Sequence, residues 1–163
     1  MKSLFTILSV VTLLTLGTAR AENRIGAGVN YWRFIDDLEG DVDESGLSFY
    51  ASYQRRGGLL GVELAAEIFP YRLDGDAWAP QAYLLVGSGI YAGIGVGIMS
   101  VNGEWADDPF FALKAGLNFE ILPKIFLDIS ASYRFSNKEQ LKDKETDIDT
   151  DTVFLGAAVR LGF

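Results

Sequence analysis

The sequence predicts an all-β protein, an eight-stranded antiparallel up-and-down transmembrane β-barrel. Three observations predict it. The last eleven residues, Val153 to Phe163, alternate without a break. Val153, Leu155, Ala157, Val159, Leu161 and Phe163 share one face, and Phe154, Gly156, Ala158, Arg160 and Gly162 share the other. Strand side chains alternate with a period of two, so this is a strand with one apolar face and one mostly small face. Seven earlier segments repeat the pattern. The connections between segments alternate between tight turns and long acidic stretches.

The segments follow in order. The first is Ile25 to Ile35, where Ile25, Ala27, Val29 and Tyr31 oppose Gly26, Gly28, Asn30 and Trp32. The second, Leu47 to Arg56, sets Leu47, Phe49, Ala51 and Tyr53 against Ser48, Tyr50, Ser52 and Gln54. In the third, Leu60 to Phe69, the apolar set Leu60, Val62, Leu64, Ala66 and Ile68 opposes a face carrying Glu63 and Glu67. The fourth is shorter, Gln81 to Val86. The fifth, Ile90 to Met99, sets Ile90, Ala92, Ile94, Val96 and Ile98 against Gly93, Gly95 and Gly97. Those glycines alternate within a strand and precede no helix, so they are no nucleotide loop. The sixth, Phe111 to Ile121, carries Lys114 on its small face, and the seventh, Ile125 to Phe135, carries Asp128 and Arg134 there. The closing segment is the eighth.

Arg56-Gly57-Gly58, Gly87-Ser88-Gly89 and Leu122-Pro123-Lys124 read as tight turns. Asp36 to Gly46, Pro70 to Pro80, Ser100 to Pro109 and Ser136 to Asp151 read as long acidic loops. Short turns at one end and long loops at the other is the layout of a bacterial outer-membrane barrel, with the short turns and both termini periplasmic.

A soluble barrel also has about eight alternating strands, but it points its faces the other way. Its outer face should be rich in Lys, Glu, Thr and Asn. Here the non-apolar face is largely Gly, Ala and Ser with scattered charges. That face suits the narrow interior of eight strands, which side chains fill. The Leu, Ile, Val, Phe and Tyr face suits hydrocarbon. Aromatics such as Tyr53, Phe119, Tyr133 and Phe135 cluster near segment ends on that face, as an interfacial girdle does.

The amino terminus reads as an export signal. Lys2 supplies a positive start, Leu4 to Leu16 an apolar run, and Ala19-Arg20-Ala21 a cleavage site. The expected organisation is a signal peptide at 1–21 and a barrel domain at 22–163. Removing Lys2 and Arg20 from 14 basic residues leaves 12 against 22 acidic ones, a net charge of −10. Such a chain is a poor nucleic-acid binder. There are no cysteines, so no disulfide supports the fold. There are no histidines, which removes the commonest general base and metal ligand.

Taken together, the pattern, the signal and the terminal Val159-Arg160-Leu161-Gly162-Phe163 resemble the small eight-stranded outer-membrane barrels of the OmpA/OmpX transmembrane type, within the porin-like outer-membrane barrels of Gram-negative cell envelopes. The resemblance spans the mature chain. It implies residence in the outer membrane and contact with its lipid and lipopolysaccharide. It also implies recognition by the barrel-assembly machinery through Val159, Leu161 and Phe163. Full-length OmpA-like proteins carry a periplasmic domain after the barrel, and a peptidoglycan-anchoring role is not expected here. Lipid A deacylases and outer-membrane phospholipases share the architecture but use a Ser–His pair, so without histidine the chain is read as a non-enzyme. No cofactor is expected.

The candidate site is the lumenal charge set Glu63, Glu67, Lys114, Asp128, Arg134 and Arg160. Charges in a tight interior must pair. Asp128 stands three residues into the seventh segment and Arg160 three from the end of the eighth, which predicts an Asp128–Arg160 ion pair. Lys114, at mid-height, is expected to reach Glu67 or Glu63. The set reads as a plug that holds the barrel together, with a selectivity or gating set as the alternative. Bulky Trp32, Tyr50, Phe69, Tyr83 and Phe154 on the same face support filling. Asp41, Asp43 and Ser45 open a D-x-D-x-S-G run, as calcium loops do, but its twelfth position is Ser52, so no metal site is assigned. Divalent cations gathered by the acidic loops, including Asp147, Asp149 and Asp151, are a further expected partner. The function expected is a structural or surface-interaction role through those loops. The alternative is a small pore or lateral-diffusion channel like the OmpW-like barrels, which needs an opening in the wall. Pro70 and Pro80, beside the short fourth segment, mark where one would fall, since proline cannot donate to a ladder, and ordinary strand ends account for these prolines equally well.

Overall fold

The computed structural model describes residues 21–35, 45–70, 77–136 and 152–163. The predicted signal lies outside them except for its last residue, Ala21, which opens the first strand. Asp41, Asp43 and the Asp147 to Asp151 cluster also lie outside them.

Eight long strands form the wall: β1 (Ala21–Phe34), β2 (Ser45–Gly57), β3 (Leu60–Phe69), β4 (Ala77–Gly87), β5 (Ile90–Gly97), β8 (Phe110–Leu122), β9 (Ile125–Ser136) and β10 (Thr152–Gly162). Two short ones, β6 (Ser100–Val101) and β7 (Glu104–Trp105), add a hairpin. Each long strand pairs antiparallel with its neighbour in sequence. The barrel closes where β1 meets β10, from Arg24 opposite Gly162 to Phe34 opposite Thr152. Closure leaves the wall no unpaired edge, which a strand protein in lipid requires.

The three predicted tight turns join β2–β3, β4–β5 and β8–β9. Gly58 and Lys124 take the left-handed φ values of 62° and 64° that such turns demand. Both chain ends of the wall lie at this short-turn end, where Phe163 N donates to Asn23 O at 2.9 Å.

The faces point as the sequence predicts. Leu64 is 53%, Ile94 61% and Leu155 58% exposed, whereas Glu63, Asp128 and Arg160 are fully buried. A continuous belt of exposed Leu, Ile, Val and Phe around charged interior groups is the reverse of a soluble protein and matches a hydrocarbon solvent.

Two expectations need correction at the fourth strand. β4 starts at Ala77 rather than Gln81, and it pairs with all of β3 through to Phe69 opposite Ala77. Pro80 therefore lies within the wall, paired opposite Ala66 on β3. On its other side Pro80 O accepts Ile98 N–H at 3.2 Å. Proline returns no N–H, so the regular ladder lapses there. The register nonetheless continues, with Gln81 opposite Gly97 and Trp78 opposite Ser100. The stretch from Ser100 to Pro109 is likewise not all loop, since β6 and β7 form a hairpin inside it.

Candidate functional site

The inward positions of the eight strands stack into layers along the bore. Period-two alternation puts Asn30, Ser48, Glu63, Glu67, Gln81, Lys114, Asp128, Arg134 and Arg160 inside, all buried. All six charges expected in the lumen are there.

The middle layer centres on Glu63. Lys114 Nζ donates to its Oε1 at 2.9 Å, Gln54 donates to Oε2, and Arg160 Nη2 reaches Oε2 at 3.3 Å. Arg160 also faces Asp128, with Nη1 3.2 Å from Oδ2. Asp128 accepts further bonds from the Tyr91 hydroxyl at 2.9 Å and from Asn118 Nδ2 at 3.1 Å. The expected Asp128–Arg160 pair is present, and of the two carboxylates open to Lys114 the structure selects Glu63. Gly116 leaves room for this arrangement: a Cβ there would lie 2.6 Å from the Tyr91 ring and hydroxyl.

The next layer toward the long loops centres on Glu67. Four side chains converge on its carboxylate: Asn30 at 2.6 Å, Gln81 at 2.7 Å, Ser48 and Arg134. Tyr83 extends the network by donating to Gln81 Oε1 at 2.6 Å. The Arg134 guanidinium lies 3.7 Å from the centre of the Phe154 ring. Across both layers three carboxylates face three cations. A buried carboxylate is tolerated when ion pairs and hydrogen bonds replace its hydration, and here each has both. A cavity of about 20 Å³ remains between Glu67, Lys114, Arg134 and Tyr83, room for about one water.

Above these layers, at the long-loop end, the bore turns apolar. Trp32, Phe34, Phe69, Phe110 and Phe154 pack with Ala77 and Ala79, and Met99 and Val101 close against them. Phe69 meets Phe154 edge to face at 6.3 Å between ring centres, and Trp32 meets Phe34 at 5.3 Å. Below the middle layer, at the short-turn end, Arg24 pairs with Glu22 at 2.5 Å and lies 3.5 Å from the centre of the Phe126 ring. Arg56 sits near the Tyr91 ring and donates to Gly87 O at 2.9 Å.

Sequence reasoning missed Arg24, Arg56, Tyr91, Phe126, Phe34 and Phe110 as lumenal groups. Each keeps the inward phase of its strand but lies at or beyond the end of the alternating core. Extending the phase by two residues finds them. Val159, Leu161 and Phe163 face outward and are exposed, on the lipid side of β10. Ser45 opens β2 opposite Arg33. Among the described residues no cluster of acidic side chains is placed to hold a metal ion.

No protein-family model matches the chain, and no curated protein matches its sequence. Solved structures do match its shape. Neisserial surface protein A superposes with a TM-score of 0.59 at 17% identity, over 88% of this chain and 97% of that one. The N-terminal β-barrel domain of Pseudomonas aeruginosa OprF gives 0.55 at 12% identity, over 88% and 100%. The outer membrane protein OprG of the same species gives 0.53 at 16% identity, over 86% and 96%. The chain has the fold of the small outer-membrane barrels. Its outward apolar belt and inward charges are those of a barrel whose wall faces hydrocarbon.

Proposed function

We propose that this protein is a closed, non-enzymatic barrel whose role is structural and surface-interacting, carried by its long acidic loops and not by its bore. The observation that supports this is the filled lumen. Two ion-pair layers and an aromatic layer are stacked in series, and the cavity beside Glu67 and Lys114 has room for about one water. A pore needs a continuous wet path, which eight strands rarely leave. The unbroken register past Pro80 argues in the same direction against a side exit.

Lipid and lipopolysaccharide are the partners of the wall, and the loops meet ions or macromolecules outside. Divalent cations suit the loops' excess of acidic residues. During biogenesis the outward Val159, Leu161 and Phe163 serve as the signal to the assembly machinery. With no histidine, the chain lacks the base of a Ser–His hydrolase. Proteoliposome swelling tests the reading. Vesicles carrying the folded protein should swell in small sugars no faster than empty vesicles, and rapid swelling would favour a pore.

A further inference from the structure

The β6–β7 hairpin brings together two tryptophans that lie far apart in sequence. Its turn is Asn102-Gly103, with φ values of 53° and 86°. Left-handed φ at both positions is the two-residue hairpin turn that Asn-Gly favours. Trp78 on β4 stands opposite Ser100, and Ser100 stands opposite Trp105 on β7. Register partners point to the same side of a sheet. The two rings therefore flank Ser100 and meet edge to face over it, 5.2 Å between centres at 62°. Ser100 is 1% exposed beneath them, while Trp78 and Trp105 remain 40% and 52% exposed.

The hairpin's other face is anchored as well, since Val101 packs on the aromatic cluster inside the bore. The outward row continues sideways through Ile68 to Phe49, both more than half exposed. It is thus an extension of the lipid-facing belt at the long-loop rim. Indole rings, with an apolar body and one N–H donor, favour the headgroup layer of a bilayer.

We infer that the β6–β7 hairpin is an interfacial clamp: Trp78 and Trp105 seat together in the headgroup layer of the leaflet at the long-loop end, so this loop lies against the membrane instead of projecting into water. Its occupant is lipid, because the patch is continuous with the wall that lipid covers.

Depth-dependent fluorescence quenching tests this on the full chain folded into phosphatidylcholine vesicles brominated at shallow or deep acyl positions. The W32F/W78F variant reports Trp105 alone and W32F/W105F reports Trp78 alone. Both should be quenched at least about twofold more by shallow than by deep bromines, and only weakly by aqueous iodide. Iodide quenching of Trp105 with no response to brominated lipid would overturn the clamp and point to a soluble partner. If loss of Trp32 prevents folding, judged by a gel-mobility shift on boiling, the single variants W78F and W105F give the same answer by difference from the unmodified chain. In a Gly103→Val chain, whose turn is strained, Trp105 should lose its shallow quenching while Trp78 keeps it. Retention of both would show that the hairpin does not hold Trp105 in place, and would equally overturn the proposal.

Discussion

Arg160→Met removes one guanidinium that serves two carboxylates. Arg160 is fully buried, 3.3 Å from Glu63 and 3.2 Å from Asp128. The two carboxylates are not left equal. Glu63 keeps Lys114 at 2.9 Å and Gln54. Asp128 keeps the Tyr91 hydroxyl and Asn118, but among the described residues no other cation in contact. Breaking a buried pair by deleting one partner costs about 3–5 kcal/mol, most of it the uncompensated charge left behind. The loss in Arg160→Met should fall in that range and centre on Asp128. A second change that neutralises Asp128 should then recover stability. Arg160→Met with Asp128→Asn should regain at least about 2 kcal/mol. Arg160→Met with Glu63→Gln should regain little, because it takes from Lys114 the carboxylate it contacts. Urea unfolding in lipid vesicles, followed by tryptophan fluorescence, measures all three, with the gel-mobility shift on boiling as the check of folding. A cost for Arg160→Met below about 1 kcal/mol, the range of a solvated surface pair, would refute the reasoning. Equal rescue by the two second changes would refute the assignment to Asp128.

Glu67→Gln should cost about 3 kcal/mol in the same assay, since Arg134 loses its carboxylate and the new amide N–H₂ confronts either the Asn30 and Ser48 donors or the Gln81 and Arg134 donors. Phe163→Ala should separate assembly from stability. The ring is exposed at the end of β10, so unfolding of refolded protein should shift by no more than about 1 kcal/mol. The amount of folded, heat-modifiable barrel in cells should nonetheless drop several-fold, as measured by gel shift of membrane fractions.

The wall was legible because its signal is local. Period-two alternation names the face of every residue within a strand, and the small, charged character of one face says which side is inside. The Asp128–Arg160 pair was legible for the same reason, since both residues lie on adjacent strands and their heights follow from counting. The partners across the bore were not. Whether Lys114 on β8 meets Glu63 or Glu67 on β3 depends on how closure staggers the strands, which no segment of sequence encodes by itself. Arg134 and Glu67 meet for the same non-local reason. Arg24, Arg56 and Tyr91 escaped because strand ends blur the alternation. The β6–β7 hairpin was missed although Asn102-Gly103 signals it, because its two-residue flanks are too short to show a period. Pro80 was read as the end of a loop. In the barrel it costs one ladder donor opposite Ile98 and leaves the register intact.

The central claim is that the bore is closed by its own side chains. Single-channel recording on refolded protein in a planar bilayer addresses it most directly, with the boiling-dependent gel shift confirming that the inserted protein is folded. The filled lumen predicts no sustained conductance above the bare bilayer. A steady, ion-selective conductance that changes in Lys114→Ala would contradict it, and would make the Glu63–Lys114–Arg160 layer a filter instead of a plug.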